Sequence, residues 1–450
     1  MAYNTPTETS SQISRLASLM LVLLAGVCIA LHLEPGKPIW IDEFVQYCFG
    51  AFTTAGSAWH AIRVSIAGGL NHGQTGIYML ADYFLLRTFG ASTFWLRFPS
   101  LLATGLLFWG SFHLFALWKL PLRWRVFGCL AIFNQTWITN QIAEARPYMP
   151  LAGASVGILA YYFTPHLDRS RLKTRALGAI SILTGVLFHP YFSVYWLFAC
   201  VFTFFLASQN TGEAHLLENK SIQGFIRHAN PILSFPGVVI YFGLGATTWM
   251  PYSINLNFDP FEWIGHRSAG VKMFLGSHIQ FMWPLNSIFL AFALLACASM
   301  LVPSLRARFF ALKVPTLLIV SSLLISAFLS YSSYRSHYWI LQRQWIASIA
   351  LITLGCVWFA SAIASLLPKT GRMIWTVVIF ALVGGHSAMI AGRNFQKIYG
   401  VLTHPKVDQF QGKQPPDQDP GVDLANLNVI QGGPVWPFFR KFYEPDPIKP

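Results

Sequence analysis

The segment Trp40-Ile41-Asp42-Glu43-Phe44 places two adjacent carboxylates shortly after the first long apolar stretch, Leu16 to Leu33. Charged side chains beside a membrane are costly unless they are paired or used. Neighbouring side chains point about 100° apart on a helix and in nearly opposite directions on a strand, so one pocket readily takes only one of the two. We therefore predict that Asp42 faces a site at the membrane edge, with Glu43 as the alternative.

The composition predicts a polytopic membrane protein. Of the 450 residues 54% are hydrophobic and only 11% are charged, whereas soluble proteins carry about 25% charged residues. The net charge of +14 would suggest nucleic acid in a soluble chain, but in a membrane protein basic loops mainly set the topology, and we expect no nucleic-acid partner. The six cysteines show no CxxC spacing and are interpreted as packing residues.

The apolar runs predict an all-α fold with about eleven transmembrane helices, since a span needs about 20 apolar residues. The first run lacks a small-residue cleavage site and is interpreted as an uncleaved span. His189-Pro190 divides one uncharged run, because proline cannot donate to the helix ladder. The predicted spans are 16–33, 97–118, 124–142, 148–164, 176–189, 191–208, 231–249, 281–302, 315–332, 345–366 and 373–391.

Basic residues predict the orientation of these spans. With the N-terminus in the cytoplasm every basic cluster also falls there, as the positive-inside rule requires. This assignment requires that the run Thr75 to Gly90 does not cross, so we interpret it as a juxtamembrane helix in the first outer loop, 34–96. The sequence thus divides into a transmembrane domain, 1–391, and a Pro-, Gly- and Asp-rich tail, 392–450, expected on the outer face.

Acidic residues gather on the predicted outer face, which holds seven of the eleven that precede the tail. Such clustering of scarce carboxylates indicates a site there. Ordinary solvation of loops is the simpler explanation for Glu34, Asp82 and Glu262. The seven are Glu34, Asp42, Glu43, Asp82, Glu144, Asp259 and Glu262.

Several short motifs follow one another on this face. They are Asp42-Glu43, Asn71-His72-Gly73-Gln74-Thr75-Gly76-Ile77-Tyr78, Leu96-Arg97-Phe98-Pro99-Ser100, Glu144-Ala145-Arg146-Pro147-Tyr148, His189-Pro190-Tyr191 and Arg343-Gln344-Trp345. Their order resembles the GT-C glycosyltransferases, polytopic enzymes that use polyprenyl-phosphate-linked sugars. The chain looks most similar to the bacterial branch related to protein mannosyltransferases and to the transferases that add aminoarabinose to lipid A.

The resemblance implies roles for individual residues. The acidic pair would supply the catalytic base, which is Asp42 or, alternatively, Glu43. The family pattern His-Pro-Pro-Leu-Tyr has Thr75 and Gly76 in place of its prolines and His72 upstream, which leaves the role of His72 open. Further candidates for substrate binding are Gln74, Tyr78, Glu144, Arg146 and Tyr148, while Arg343 would hold the lipid phosphate.

The residue types also suit sugar transfer without the resemblance. An inverting attack on a glycosyl phosphate needs one carboxylate to accept a proton from the acceptor hydroxyl. It also needs cations to stabilise the departing phosphate, a task that suits arginine. The cation candidates are Arg146, Arg335 and Arg343, with His189, Tyr191 and His337 as supporting groups. No residue pair has metal-ligand spacing, and a divalent cation is neither required nor excluded.

These patterns predict a glycosyltransferase (a hexosyl- or pentosyltransferase) of a bacterial inner membrane, with its tail in the periplasm. Its donor would be a polyprenyl-phosphate sugar and its acceptor a lipid, a glycan or a protein. Simpler roles remain open for single residues: Asp42 as a helix N-cap, Arg343 as a snorkelling side chain, and His189-Pro190 as only a helix break.

Two other functions remain as alternatives. A transporter or flippase of lipid-linked sugars should carry ionisable groups along the middle of its spans and show internal repeats. Neither feature is present in the sequence. The second alternative is a non-catalytic scaffold that binds a lipid-linked glycan. The sequence distinguishes it poorly from an enzyme, since the intact Asp-Glu pair argues against a scaffold only mildly.

Overall fold

The protein is all-helical throughout the part described by a computed structural model. That part comprises residues 43, 46, 49–50, 52–67, 75–90, 93–165, 168–169, 171–207, 225, 228–229, 278, 285, 290, 293–294, 297, 301–302, 310–335 and 342–403. Its α-helices are α1 (Ala55–Ala67), α2 (Ile77–Phe89), α3 (Thr93–Leu117), α4 (Leu122–Phe133), α5 (Thr136–Ile142), α6 (Tyr148–Phe163), α7 (Leu172–Phe188), α8 (Phe192–Ala207), α9 (Phe310–Arg335), α10 (Ile346–Leu366) and α11 (Lys369–Thr403), with a 3-10 turn at Gln342–Trp345.

Each predicted span that the structure describes in full is helical, and all but one of them are single helices. The predicted break at His189-Pro190 is confirmed, because α7 ends at Phe188 and α8 begins at Phe192. The span predicted at 124–142 is divided into α4 and α5 around Asn134 and Gln135. The predicted spans 16–33 and 231–249, and most of 281–302, lie outside the described residues.

Among the described residues, three apolar helical segments are long enough to cross a membrane. They are Phe94–Leu117, Leu312–Tyr331 and Arg343–Leu366, and shorter apolar helices occupy Tyr148–Phe163 and Phe192–Leu206. Large apolar side chains on these helices, such as Leu102 and Leu324, are more than half exposed. Such faces favour a lipid environment over water. The described helices therefore indicate an integral membrane protein.

Helix α6 occupies the middle of the bundle and is buried along nearly its whole length. Glycines allow its close approach to α3, as small residues commonly do between membrane helices. A Cβ atom at Gly153 would lie 2.6 Å from the carbonyl oxygen of Ala103, and one at Gly110 would lie 3.0 Å from the backbone of Gly157. Larger side chains would force the two helices apart.

The two ends of the bundle differ in chemistry. At one end Trp118 stacks on Trp358 with ring centroids 4.1 Å apart, and Arg169 donates to the carbonyl oxygen of Tyr162 at 2.6 Å. Arg372 donates to the carbonyl oxygen of Ala364 at the same end. The opposite end gathers the N-termini of α3, α6 and α10 with the C-terminus of α7, and it holds the polar residues described in the next subsection.

Two elements bear on the predicted topology. Helix α2 has 13 residues, about 20 Å in length, which is less than the ~30 Å of a bilayer core. Its location in the membrane interface stays a prediction. Helix α11 continues to Thr403, past the predicted domain boundary at residue 391. Residues 404–450 lie outside the described part, and the domain boundary at 391 stays a prediction.

Candidate functional site

Glu43 is the most fully bound carboxylate at the polar end of the bundle. It is 1% exposed and accepts hydrogen bonds from Arg97 Nε and Nη2, both at 2.9 Å. The backbone N–H of Ala145 donates to Glu43 Oε1 at 2.8 Å. Bidentate, charge-assisted bonds of this kind are strong and directional. The pair therefore fixes the Glu43 segment against the start of α3 and the turn before α6.

Arg97 is a site residue to which the sequence assigned no role. It lies in the second turn of α3 and is 5% exposed. The available signal was an arginine near the start of an apolar span, where a guanidinium needs a partner. Only the fold brings that partner, because Glu43 is 54 positions away.

Tyr78 and Ser100 continue the polar network. The Tyr78 hydroxyl lies 2.8 Å from Ser100 Oγ. Ser100 Oγ donates toward the carbonyl oxygens of Glu144 at 2.6 Å and Arg146 at 3.1 Å. Since Ser100 has one hydroxyl proton, Tyr78 is the donor to Ser100. Burial raises the pKa of Tyr78 well above its usual value, which keeps this donor protonated.

Asp82 lies one turn after Tyr78 on α2 and is fully buried. Neither carboxyl oxygen has a hydrogen-bond partner within the described part of the chain. Burial, and next the nearby charge of Glu43, raise the pKa of Asp82 well above its usual value. The expectation that Asp82 is a solvated loop residue was wrong, because this face of α2 packs inward.

Helix α2 begins directly after a residue with a left-handed backbone conformation. Gly76 precedes the helix with φ of 81°, a region that proline, with φ near −65°, does not adopt. Thr75 Oγ1 donates to the carbonyl oxygen of Leu187 at the end of α7. The start of α2 is thus held against the α7–α8 turn.

A second group of predicted residues surrounds Tyr148. The guanidinium carbon of Arg343 lies 5.4 Å from the centroid of the Tyr148 ring, within the range of a cation–π contact. The ring of His189 lies 5.9 Å from that of Tyr148 and 5.0 Å from that of Tyr191. The 144–148 segment therefore joins this group to the Glu43–Arg97 pair.

His189 is a neutral group in this arrangement. It is fully buried, and burial lowers its pKa to about 3. The backbone N–H of Tyr191 donates to His189 Nδ1 at 3.2 Å, which assigns the ring proton to Nε2. His189 can therefore offer a neutral hydrogen bond to a ligand but not a charge.

The structure brings together most of the predicted site residues that it describes. Arg146 is 4% exposed, and Glu144 is half-buried in the same turn. The residues at this one end are Glu43, Tyr78, Glu144, Arg146, Tyr148, His189, Tyr191 and Arg343. Asp42, His72, Gln74 and His337 lie outside the described residues; Arg335 ends α9, but its side chain is outside the described part.

Within the described ranges, no three His, Cys, Asp or Glu side chains form a group that could hold a metal ion. The fold and the arrangement of polar groups thus define an integral membrane protein with a buried acid–guanidinium cluster at one end. Comparisons with protein-family models, curated proteins and solved structures give no match to this chain.

Proposed function

We propose that this chain is a membrane glycosyltransferase of the GT-C type, with about eleven spans. It moves a sugar from a polyprenyl-phosphate donor to an acceptor on the periplasmic face of a bacterial inner membrane. The observation that carries the proposal is the convergence of the Glu43–Arg97 pair, Arg146, and Arg343 on Tyr148 at one end of an apolar bundle.

This arrangement supports the binding of a lipid-linked anion. A polyprenyl chain needs an apolar helical surface, and its phosphate then lies at the ends of the helices. Guanidinium groups bind phosphate in bidentate fashion and keep their charge when partly buried. Arg343 is half-buried and stacked on Tyr148, so its head is oriented with little freedom. These features suit a phosphate clamp better than a freely snorkelling side chain.

The proposed reaction is a single in-line displacement. The acceptor oxygen forms a bond to C1 of the sugar while the bond from C1 to the phosphate oxygen breaks. The acceptor's hydroxyl proton passes to a carboxylate, and the leaving group departs as polyprenyl phosphate. Arg343 and Arg146 stabilise the charge that develops on this phosphate.

We assign the role of general base to Asp42, because the Glu43 carboxylate is already occupied by hydrogen bonds within the protein. The Glu43 carboxylate accepts three hydrogen bonds, from Arg97 and the backbone of Ala145. Hydrogen bonds to the charged form lower the basicity of a carboxylate. The proton is therefore assigned to the adjacent carboxylate, Asp42, and Glu43 acts as a positioning residue.

A transporter of lipid-linked sugars is the second candidate, favoured by the break between α4 and α5. The buried Asn134 there contacts His386 of α11, with Nδ2 and Nδ1 3.0 Å apart. Interrupted helices commonly form transport sites. Against this candidate, no Asp, Glu, Lys or Arg lies near the centre of any described long helix.

The test is sugar transfer by the purified protein in lipid nanodiscs. A panel of short-chain polyprenyl-phosphate hexoses and pentoses is supplied with envelope lipid and glycan acceptors, and release of polyprenyl phosphate is followed by mass spectrometry. We expect acceptor-dependent release, reduced by about 10²–10⁴-fold in Asp42→Asn. Asp168→Asn is the matched control, since Asp168 lies near the opposite end of the bundle and pairs with Arg171.

The outcomes separate the three functions. Binding of donors without turnover would favour the scaffold, and vectorial movement of intact donor across a vesicle membrane would favour the transporter. Unimpaired turnover by a well-folded Asp42→Asn protein would remove the base assignment.

A further inference from the structure

Asp82 is the least explained polar group in the described structure. A buried carboxyl group without any hydrogen bond is costly, and a buried carboxylate anion far more so. Asp82 has no exposed surface, and both of its oxygens lack a partner in the described part of the protein. Because an unpartnered buried carboxyl group destabilises the fold, its presence at a candidate site needs a functional explanation.

The charges around Asp82 explain why ionisation is unfavourable there. Glu43 acts on Asp82 as a like charge, and the guanidinium of Arg97 is occupied by Glu43 in a bidentate pair. Asp82 therefore gains no compensating cation from that pair. Its burial and neighbours both favour the uncharged acid.

The other titratable groups on the surrounding elements do not alter this balance. Helix α2 packs against α1, α3 and α7. On these elements His60, Arg63 and Arg87 are exposed to solvent, and His189, at the end of α7, is neutral. His113 on α3, and Lys173 and Arg175 on α7, lie towards the opposite end of these helices. The groups at the same end as Asp82 are Tyr78 and Tyr83 on α2, Arg97 on α3, and Glu43, Glu144 and Arg146 beside them.

The buried charges form one electrostatic unit. The Tyr78 hydroxyl lies within electrostatic reach of Asp82, Glu43 and Arg146. Whatever charges the neighbouring groups carry, ionisation of Asp82 lowers the net charge of this unit by one. The proton on Asp82 therefore changes how strongly the buried cluster attracts an anion.

We propose that Asp82 is a specificity-determining residue: as an uncharged acid it adds no negative charge to the buried Glu43–Arg97–Arg146 cluster, and its ionisation weakens the binding of a phosphate-bearing lipid. This inference rests on the proposed function, because it assigns the lipid phosphate to the same end of the bundle. It differs from the proposed catalytic roles, since Asp82 acts on affinity through charge and takes no part in bond making.

The test compares binding of farnesyl phosphate to the wild type and to Asp82 variants in nanodiscs from pH 5 to pH 10. The ligand's own second ionisation, with a pKa of about 6, affects all of these proteins equally. As pH rises, the affinity of the wild type and of the control Asp168→Asn is expected to fall relative to that of Asp82→Asn and Asp82→Leu. The fall should be on the order of tenfold for the loss of one unit charge.

Thermal unfolding of the same proteins without ligand gives an independent readout. The folded-state pKa of Asp82 is raised, so its stability contribution is complete below the unfolded pKa of about 3.9 and is lost as pH rises through the folded pKa. The wild type should lose stability relative to Asp82→Asn as pH rises. Asp82→Leu supplies the same comparison if the asparagine variant folds poorly.

Parallel affinity profiles of the wild type and the Asp82 variants would overturn the inference, as would parallel stability profiles. Failure of farnesyl phosphate to bind at any pH, with diverging stability profiles, would instead reject the proposed function and the effect on affinity. It would leave Asp82 as a buried uncharged acid.

Discussion

Glu43 and Arg97 form a buried bidentate ion pair, with both N–H···O distances at 2.9 Å, although 54 positions separate them in the chain. The pair links the segment before α1 to the start of a membrane-spanning helix. Its third partner, the backbone N–H of Ala145, extends the link to the start of α6. The acidic residue beside Asp42 is thus part of the scaffold of the candidate site.

Removal of either member of this pair should be strongly destabilising. Arg97→Leu leaves the Glu43 carboxylate buried without its cation, which costs about 3–5 kcal/mol of unfolding free energy. Glu43→Gln should cost less than Arg97→Leu, because its amide oxygen still accepts from Ala145. The measurement is thermal unfolding of the purified variants in detergent.

The single variant Glu43→Leu and the double variant Glu43→Leu with Arg97→Leu complete a double-mutant cycle that provides the control for this prediction. The double variant removes both charges, so it should be more stable than the sum of the single effects indicates. Additive effects in this double-mutant cycle would contradict a direct pair.

Arg343 is expected to contribute both to donor affinity and to the rate of transfer, because it binds the donor phosphate and stabilises the charge that develops on it. Arg343→Gln should raise the KM for the donor about tenfold or more, the worth of one charge-assisted hydrogen bond. Arg343→Lys keeps the charge but loses bidentate geometry, so it should recover affinity only in part. Steady-state kinetics with varied donor separate KM from kcat.

Tyr148 supplies matched variants for the same contact. Tyr148→Phe keeps the ring on which Arg343 stacks and should preserve the KM for the donor, whereas Tyr148→Leu should not. An unchanged KM in Arg343→Gln would identify Arg343 as a snorkelling residue instead.

His189 should make the protein sensitive to acid. Its folded pKa of about 3 lies below the unfolded value of about 6.5, so the neutral ring contributes stability that is present above pH 6.5. That contribution is lost as pH falls from about 6.5 towards 3, because the unfolded state then binds the extra proton. His189→Gln should lose less stability than the wild type between pH 7 and pH 4 in thermal unfolding. Equal pH dependence of the two proteins would show that His189 is not buried as a neutral ring.

The close contact between α3 and α6 should not tolerate a Cβ atom at Gly153. Gly153→Ala places that atom 2.6 Å from a backbone oxygen of α3, and overpacking of this kind costs about 1–3 kcal/mol. Gly105→Ala is the control, because nothing lies within 4 Å of its Cβ position. It should leave stability unchanged or raise it slightly through helix propensity. Equal melting temperatures for the two variants would contradict the close packing of these helices.

The orientation of the bundle can be tested with single cysteines in a background without the native ones. Thr88 lies exposed on α2 near the polar end of the bundle. Lys173 lies exposed at the start of α7, near the opposite end that holds Arg169 and Arg372. Each is replaced by cysteine in turn. A membrane-impermeant maleimide should label Thr88→Cys in intact spheroplasts and Lys173→Cys only after permeabilisation. The reverse pattern would invert the proposed topology.

Much of the helical layout followed from the sequence alone. Apolar runs near 20 residues predicted the segments that became α3, α6, α8, α9 and α10, because the length and composition of a membrane helix are local properties. The helix break at His189-Pro190 was equally local. The division of one predicted span into α4 and α5 was missed, since Asn134 and Gln135 carry no proline or glycine signal.

The candidate site was predicted only in part. The motifs placed Glu43, Glu144, Arg146 and Arg343 at one end of the bundle, where the structure has them, but they left Arg97 without a partner. They also treated Asp82 as a solvated residue. The pattern of apolar and polar residues on a helix as short as α2 does not predict which polar side chain, here that of Asp82, faces the protein interior.

By itself, the sequence determined an all-helical chain with helices suited to a membrane, because these features depend on contiguous residues. Only the tertiary structure decided that Glu43 is bound by Arg97, that Asp82 is sealed from water, and that Tyr148 lies beneath Arg343. Each of those relationships joins groups far apart in the chain. Their energies depend on burial and mutual distance, which arise only when the helices pack.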